Sequence, residues 1–250
     1  MTHGTTAPAP RASAWSLPAA PRLPLALAMG ALGGWMTDLG FPDGAAWPLT
    51  IVGVALVLAS LRGRSVGGAL LVGAVSGFAF YGTLIEWLTI YLGVVPWLAL
   101  TLAQVFFTSL GAVVITLAWR WVPRAWPGTA GRLLLTPVIV AGAWTLREAV
   151  SSTFPYGGFA WGRLAHSQAE GPLGHWAAWI GFSGLTWLLA TLAALLVVVA
   201  IESREGVLRR SILVVGVTAT ALVWPAFPVT VTGTTTVAAT LEAGPLVEGV

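Results

Sequence analysis

A chain of 250 residues in which 57% are hydrophobic and only 8% charged is no ordinary soluble domain, where about a quarter of residues carry charge; the composition is that of a polytopic membrane protein. The net charge of +3 comes from twelve arginines and no lysine, scattered between apolar runs, and without one basic stripe nucleic acid is excluded as a partner. No cysteine is present and His3, His166 and His175 have no metal-ligand spacing, so disulfides, thiolate chemistry and metal or other cofactors are not called for.

Residues 1–22, rich in Ala, Pro and Thr with Arg11 and Arg22, read as a disordered basic tail. The first apolar run, Leu23 to about Leu39, is expected to be a helix; its basic tail and the small residues of AMGALGG also fit a cleaved signal peptide, but a second apolar run follows at once. FPDGAAWPL, Phe41 to Leu49, is a turn, and Trp47 to Leu61 returns. Both runs lie near the short end of the roughly 17–25 residues a spanning helix needs, so a re-entrant hairpin is the alternative. After Arg62 and Arg64, Val66 to about Leu92 is expected as a third helix, with Gly67, Gly68, Gly73 and Gly77 on its early turns and Glu86, Trp87 and Tyr91 toward its far end. Small residues there allow close helix approach. The fourth, Val94 to about Trp119, carries the polar Gln104, more simply a helix–helix hydrogen bond than a site. Arg120, Arg124 and Arg132 surround Pro123 and Pro127, and a fifth helix runs from Leu133 to about Val150. The sixth covers about Trp176 to Ile201, the charged stretch Glu202 to Arg210 follows, and a seventh spans about Ser211 to Trp224.

The fold expected is therefore all-α and polytopic, with about seven transmembrane helices in residues 23–227. Arginine placement orients it: with the amino terminus inside, the inner loops hold ten of the twelve arginines, leaving Arg147 and Arg163 toward the outer face. Loop 151–175 and the carboxyl terminus are then extracytoplasmic. Residues 228–250 read as a linker with one strand, about Thr234 to Thr240.

Most of the polar chemistry lies between Trp144 and Leu189. Arg147 and Glu148 adjoin at the end of an apolar run, where charge is expensive unless it pairs, reaches water or serves a site. Pro155, Gly157, Gly158 and Gly162 then break regular structure while Phe154, Tyr156, Phe159 and Trp161 make the loop aromatic. Trp144, Glu148, Phe154-Pro155-Tyr156, Gly157-Gly158, Ser167-Gln168, Pro172-Leu173, Gly181 and Gly184, in this order, resemble the membrane domain of bacterial apolipoprotein N-acyltransferases. The Phe41-Pro42 turn before Trp47-Pro48-Leu49 is similar to the same family, and Tyr81 to Tyr91 more loosely so. Ser151 departs from it, standing where the family carries an arginine; whether the adjacent Arg147 replaces it is open at this point.

The resemblance implies a bacterial plasma-membrane protein concerned with transfer of an acyl chain from a phospholipid to the amino group of a lipoprotein's terminal diacylglyceryl-cysteine. In that family a cysteine forms the thioester, with a glutamate base and a lysine at the oxyanion, on an outer nitrilase-like domain. Val237, Ala238 and Ala239 match the start of that domain's first strand, while Thr240, Leu241 and Glu242 depart from it. With no cysteine and no lysine, the residues present are expected to be inactive alone, as part of a shortened or incomplete acyltransferase chain, and no catalytic residue is carried over.

What remains to handle lipid and lipoprotein is a set of candidates: Glu86, Trp87, Tyr91, Arg147, Glu148, Phe154, Pro155, Tyr156, Trp161 and Gln168. Each has a plainer reading beside it. Arg147 and Glu148 could lock helices together, Glu86 could simply reach water from a helix end, and the aromatics could be interfacial anchors. A non-catalytic alternative is a membrane anchor for a polyprenol-phosphate mannosyltransferase, which some relatives carry or bind. A small transporter fits less well, because no inverted repeat is visible.

Overall fold

Proline marks the helix starts, in first turns where its missing N–H is no loss. Pro24 opens α1 (Leu23–Leu39), Pro48 opens α2 (Trp47–Leu61) and Pro137 opens α6 (Thr136–Ser151). The computed structural model describes residues 20–201 together with Gly216, and among them the fold is helical with no strand. The tail 1–19, the stretch after Ile201, the expected seventh helix and the expected strand lie outside the described residues.

α1 and α2 form a hairpin closed by the Phe41–Ala46 turn, in which Gly44 N donates to Phe41 O (2.9 Å) and Ala46 N to Leu39 O (3.1 Å). They pack backbone to backbone because a side chain on Gly33 would run into the Gly53 carbonyl and Val57. Thr50 Oγ1 donates across the pair to Thr37 O at 3.1 Å, which satisfies a hydroxyl with no access to water. α3 (Val66–Leu84) begins at Ser65, whose hydroxyl accepts from Gly68 N. It lies along α1, with Gly30 on Val72, and against α5, where Gly73 and Gly77 meet Ala112 and Thr108.

The expected third helix is shorter than its apolar run. α3 stops at Leu84, a turn carries Glu86 and Trp87, and the short α4 (Leu88–Leu92) follows. Gly93, at φ 83°, then starts α5 (Val94–Ala125). α5 in turn outlasts its expected end at Trp119, and it stops two residues after Pro123, which lies in its last turn. A π-helical turn, Gly131–Leu135, leads into α6, with Thr136 Oγ1 on Gly131 O at 2.9 Å. After the loop come two single turns, Leu164–Gln168 and Gly174–Trp176, and then α7 (Ala177–Ile201). Gly181 interrupts α7 at φ 67°, a conformation that costs glycine least.

Among the described residues four helical stretches are long and apolar enough to cross a membrane: Val66–Leu84, Val94–Ala125, Gly131–Ser151 and Gly174–Ile201. The core between them and the hairpin is built on Ala26, Val54, Leu58, Val72, Val140 and Leu189. Leu32, Leu71, Phe106 and Leu146 stand exposed on the outer faces, the apolar belt expected of a surface that meets acyl chains rather than water.

The chain runs back and forth, so its turns gather at two ends of different chemistry. One end collects Arg22, Arg62, Arg64, Arg120, Arg124 and Arg132, around the starts of α1 and α3 and the ends of α2 and α5. Burial there lowers the pKa of the Arg62 guanidinium, just past α2. The other end gathers the Phe41–Ala46 turn, Glu86, α4 and the aromatic loop.

Candidate functional site

Near this second end α6 carries two charges into the bundle. Glu148 is 1% exposed and Arg147 7%. The carboxylate is fully partnered: Oε1 accepts from Trp144 Nε1 (2.8 Å) and from Leu164 N (3.2 Å), and Oε2 accepts from Thr186 Oγ1 (3.0 Å). Arg147 Nη2 lies 3.7 Å from Glu148 Oε1, and its Nη1 donates to the Tyr81 hydroxyl at 3.0 Å. Its stem lies against Gly111 of α5, which has no side chain to obstruct it, and its guanidinium sits 4.7 Å from the Trp144 ring. Tyr81 then donates to Gly162 O at 3.4 Å. One ion pair thus ties α3, α5, α6, α7 and the loop together, and its hydrogen bonds are what make two charges tolerable at that depth.

The loop hangs from this lock. Phe159 N donates to Ser151 O (2.8 Å) and Gly158 N to Pro155 O (2.7 Å), with Gly158 in the left-handed region and the Phe154–Pro155 bond cis. Beyond it, Arg163 Nη2 donates to Ser183 Oγ at 2.5 Å, and His166 rests on the Phe182 ring at 4.9 Å, which fastens the loop to the start of α7. Ser151 uses its hydroxyl only on Glu148 O, one turn back. It is Arg147 that makes the interhelical bonds.

Held this way, the loop presents its rings to the neighbouring turns. Trp161 stacks on Trp87 at 5.5 Å and 23°, Tyr91 meets Trp87 edge-on at 6.1 Å, and Phe159 links Trp161 to Tyr81. Phe80 and Phe41 continue the row to the α1–α2 turn. A groove of about 370 Å³ opens beside it, lined by Phe41, Asp43, Leu84, Trp87, Trp161 and His166 among others. Its walls are mostly apolar and aromatic, with one carboxylate and one imidazole in the lining. That combination suits a lipid tail with a polar head kept near water.

The ten candidates therefore divide. Trp87 and Trp161 line the groove with Tyr91 against Trp87, and Glu86 is exposed in the turn next to them. Phe154, Pro155 and Tyr156 are exposed on the outer part of the loop, with Tyr156 at φ 50° and fully in the open. Arg147 and Glu148 are internal. Gln168 is fully buried beside Ser167, with its Nε2 on Ser167 Oγ at 3.3 Å and its Oε1 without a partner among the described residues. Gln104 is likewise buried, with its Oε1 unpartnered among the described residues. Sequence reasoning missed Tyr81 and Thr186, whose only signal was a hydroxyl inside an apolar helix, and Leu164, which acts through its backbone. Among the described residues no three His, Asp or Glu side chains converge as a metal site.

Residues 33–195 match the family model of the apolipoprotein N-acyltransferase N-terminal domain. A protein of Pseudomonas putida named apolipoprotein N-acyltransferase is 32% identical over 176 residues, covering 69% of this chain and 34% of the relative. One of the same name from Azotobacter vinelandii is 32% identical over 185 residues, covering 69% and 33%. Another, from Mycolicibacterium smegmatis, is 35% identical over 103 residues, covering 39% and 17%. The chain spans about a third of the length of the first two.

Proposed function

The chain belongs to the apolipoprotein N-acyltransferase family, whose N-terminal membrane domain it carries, and we propose that this domain presents a phospholipid acyl donor for transfer to the N-terminal diacylglyceryl-cysteine of lipoproteins. The observation that carries the proposal is the groove beside the stacked Trp87 and Trp161, where three separate turns assemble an aromatic wall at one end of the bundle. A donor chain would lie along Leu84 and the rings while its head stays at the rim by Asp43 and His166. Glu86, Tyr91, Phe154, Pro155 and Tyr156 extend this face, and Arg147, Glu148 and Gln168 hold the loop in place behind it.

In this reading the bundle crosses the bacterial plasma membrane seven times with its amino terminus inside, and loop 151–175 faces outward. The gathering of Arg22, Arg62, Arg64, Arg120, Arg124 and Arg132 at the opposite end supports that orientation. The covalent step belongs to residues outside these 250, which contain neither the cysteine a thioester needs nor a lysine. Expressed alone, the chain is expected to leave lipoproteins without N-acylation by mass spectrometry; acylation would overturn this division. Presentation itself is tested with a phospholipid bearing a photoreactive headgroup. Adducts should concentrate on Phe41–Asp43, Leu84–Tyr91 and Trp161, and adducts spread evenly over the exposed belt would sink the proposal. Orientation is tested by His166→Cys, a single thiol in a chain that has none, which should react with a membrane-impermeant reagent from outside.

A further inference from the structure

We propose that the arginine end of the bundle is a binding site for the phosphate headgroup of an anionic phospholipid, held by Arg64, Arg120 and Arg124 with Arg22 beside them. A run of hydrogen bonds brings these residues together. Arg64 Nη2 donates to the Pro21 carbonyl, immediately before Arg22; Arg120 Nη2 donates to Arg64 O at 2.7 Å; and Arg124 Nη1 donates to Arg120 O at 2.6 Å. Every one of these acceptors is a neutral carbonyl, so these bonds gather the residues without neutralising any of their positive charges. Among the described residues none of the four makes an ion pair, and the described carboxylates, Asp38, Asp43, Glu86, Glu148 and Glu170, all lie in the turns, loop and helix ends toward the aromatic end.

Two further features point to an occupant. Arg64 is 9% exposed, yet its Nε–H has no acceptor among the described residues, and a buried guanidinium N–H left unpaired is costly enough to call for one. Arg22, Arg120 and Arg124 are exposed beside it, so N–H groups of the cluster are open to an anion arriving from outside the bundle. The forked guanidinium matches a phosphate's oxygens in pairs. A lipid rather than a free anion is favoured by what surrounds the cluster: Trp121 and Trp126, 67% and 51% exposed, and Leu117 offer apolar surface along α5 for the attached chains, and tryptophan favours the headgroup zone. Basic pockets between helices at a membrane face take anionic headgroups in this manner. The site is at the opposite end from the groove and does not depend on the role proposed there.

The test is native mass spectrometry of the 250-residue chain released from nanodiscs of phosphatidylglycerol and phosphatidylcholine in equal parts. The chain should retain phosphatidylglycerol preferentially, and Arg120→Gln with Arg124→Gln should weaken that preference about thirty-fold, with Arg124→Gln alone weakening it about five-fold. Both positions are exposed at the end of α5, and the helical circular dichroism of each variant confirms its fold. Equal retention of the two lipids, or a preference untouched by these substitutions in a folded chain, overturns the proposal. Inorganic phosphate is the third arm. It should fail to displace the lipid; displacement at millimolar phosphate with the same arginine dependence would make this a simple anion site and overturn the lipid assignment.

Discussion

Two regions toward one end of this bundle, one polar and one aromatic, differ in whether they are complete. Around Glu148 each carboxylate oxygen already has its donors, and Arg147 spends its guanidinium on Glu148, Tyr81 and the Trp144 ring. Around Trp87 and Trp161 the rings touch one another but leave a face open to the groove. A closed network has no bond left to offer a ligand without breaking one it has. The buried charges therefore read as the scaffold of the loop and the exposed rings as the part free to meet something else, although an inventory of intramembrane charge singles out the first.

The largest test of that division is Glu148→Ala. It leaves the Arg147 guanidinium buried without its carboxylate, at a cost of about 3 kcal/mol or more, read as a lowered unfolding midpoint in detergent. Removing Arg147 as well should cost less than the sum of the two single changes, since the residues are coupled. Next comes Gly77→Val, which forces a branched side chain onto Thr108 where α3 and α5 touch and should cost about 2 kcal/mol by overpacking. Tyr81→Phe removes the hydroxyl that accepts from Arg147 and donates to Gly162 O, for about 1 kcal/mol in the same measurement. Smallest in stability are Trp87→Ala and Trp161→Ala, under about 1 kcal/mol each for the lost stacking, yet these should remove most of the headgroup photo-adducts. If Trp161→Ala destabilised the chain as much as Glu148→Ala, the distinction between the two regions would collapse.

Much of the framework was legible from hydropathy and punctuation. The α1–α2 hairpin and the start of α5 after Gly93 follow from Pro and Gly positions that the backbone then uses, and α7 was legible as one apolar run but not its interruption at Gly181. The end of α3 was not legible, because Leu84 to Leu92 is apolar and holds neither Gly nor Pro; hydropathy sees polarity, not the direction in which a chain leaves a bundle. For the same reason Glu86 seemed to belong to a helix and stands in a turn. Arg147 and Glu148 were found because charge in an apolar run is conspicuous, whereas Tyr81 and Thr186 are uncharged hydroxyls in largely apolar helices that also hold Ser76, Thr83, Ser183 and Thr191, and only the fold shows that these two meet the same pair. Gln168 was flagged by the pattern of its neighbours, but its burial depends on how the turn after Leu164 packs under the loop.

The unequal helix lengths have a consequence for the surrounding bilayer. At 1.5 Å per residue, α1 and α2, of 17 and 15 residues, reach only about 25 Å and 22 Å, while the 32 residues of α5 reach about 48 Å. Hydrocarbon some 30 Å deep cannot fit both flanks at once. The membrane is expected to be pinched beside the hairpin while α5 tilts or projects on the other side, so that lengthening the acyl chains of the host lipid stresses the hairpin first.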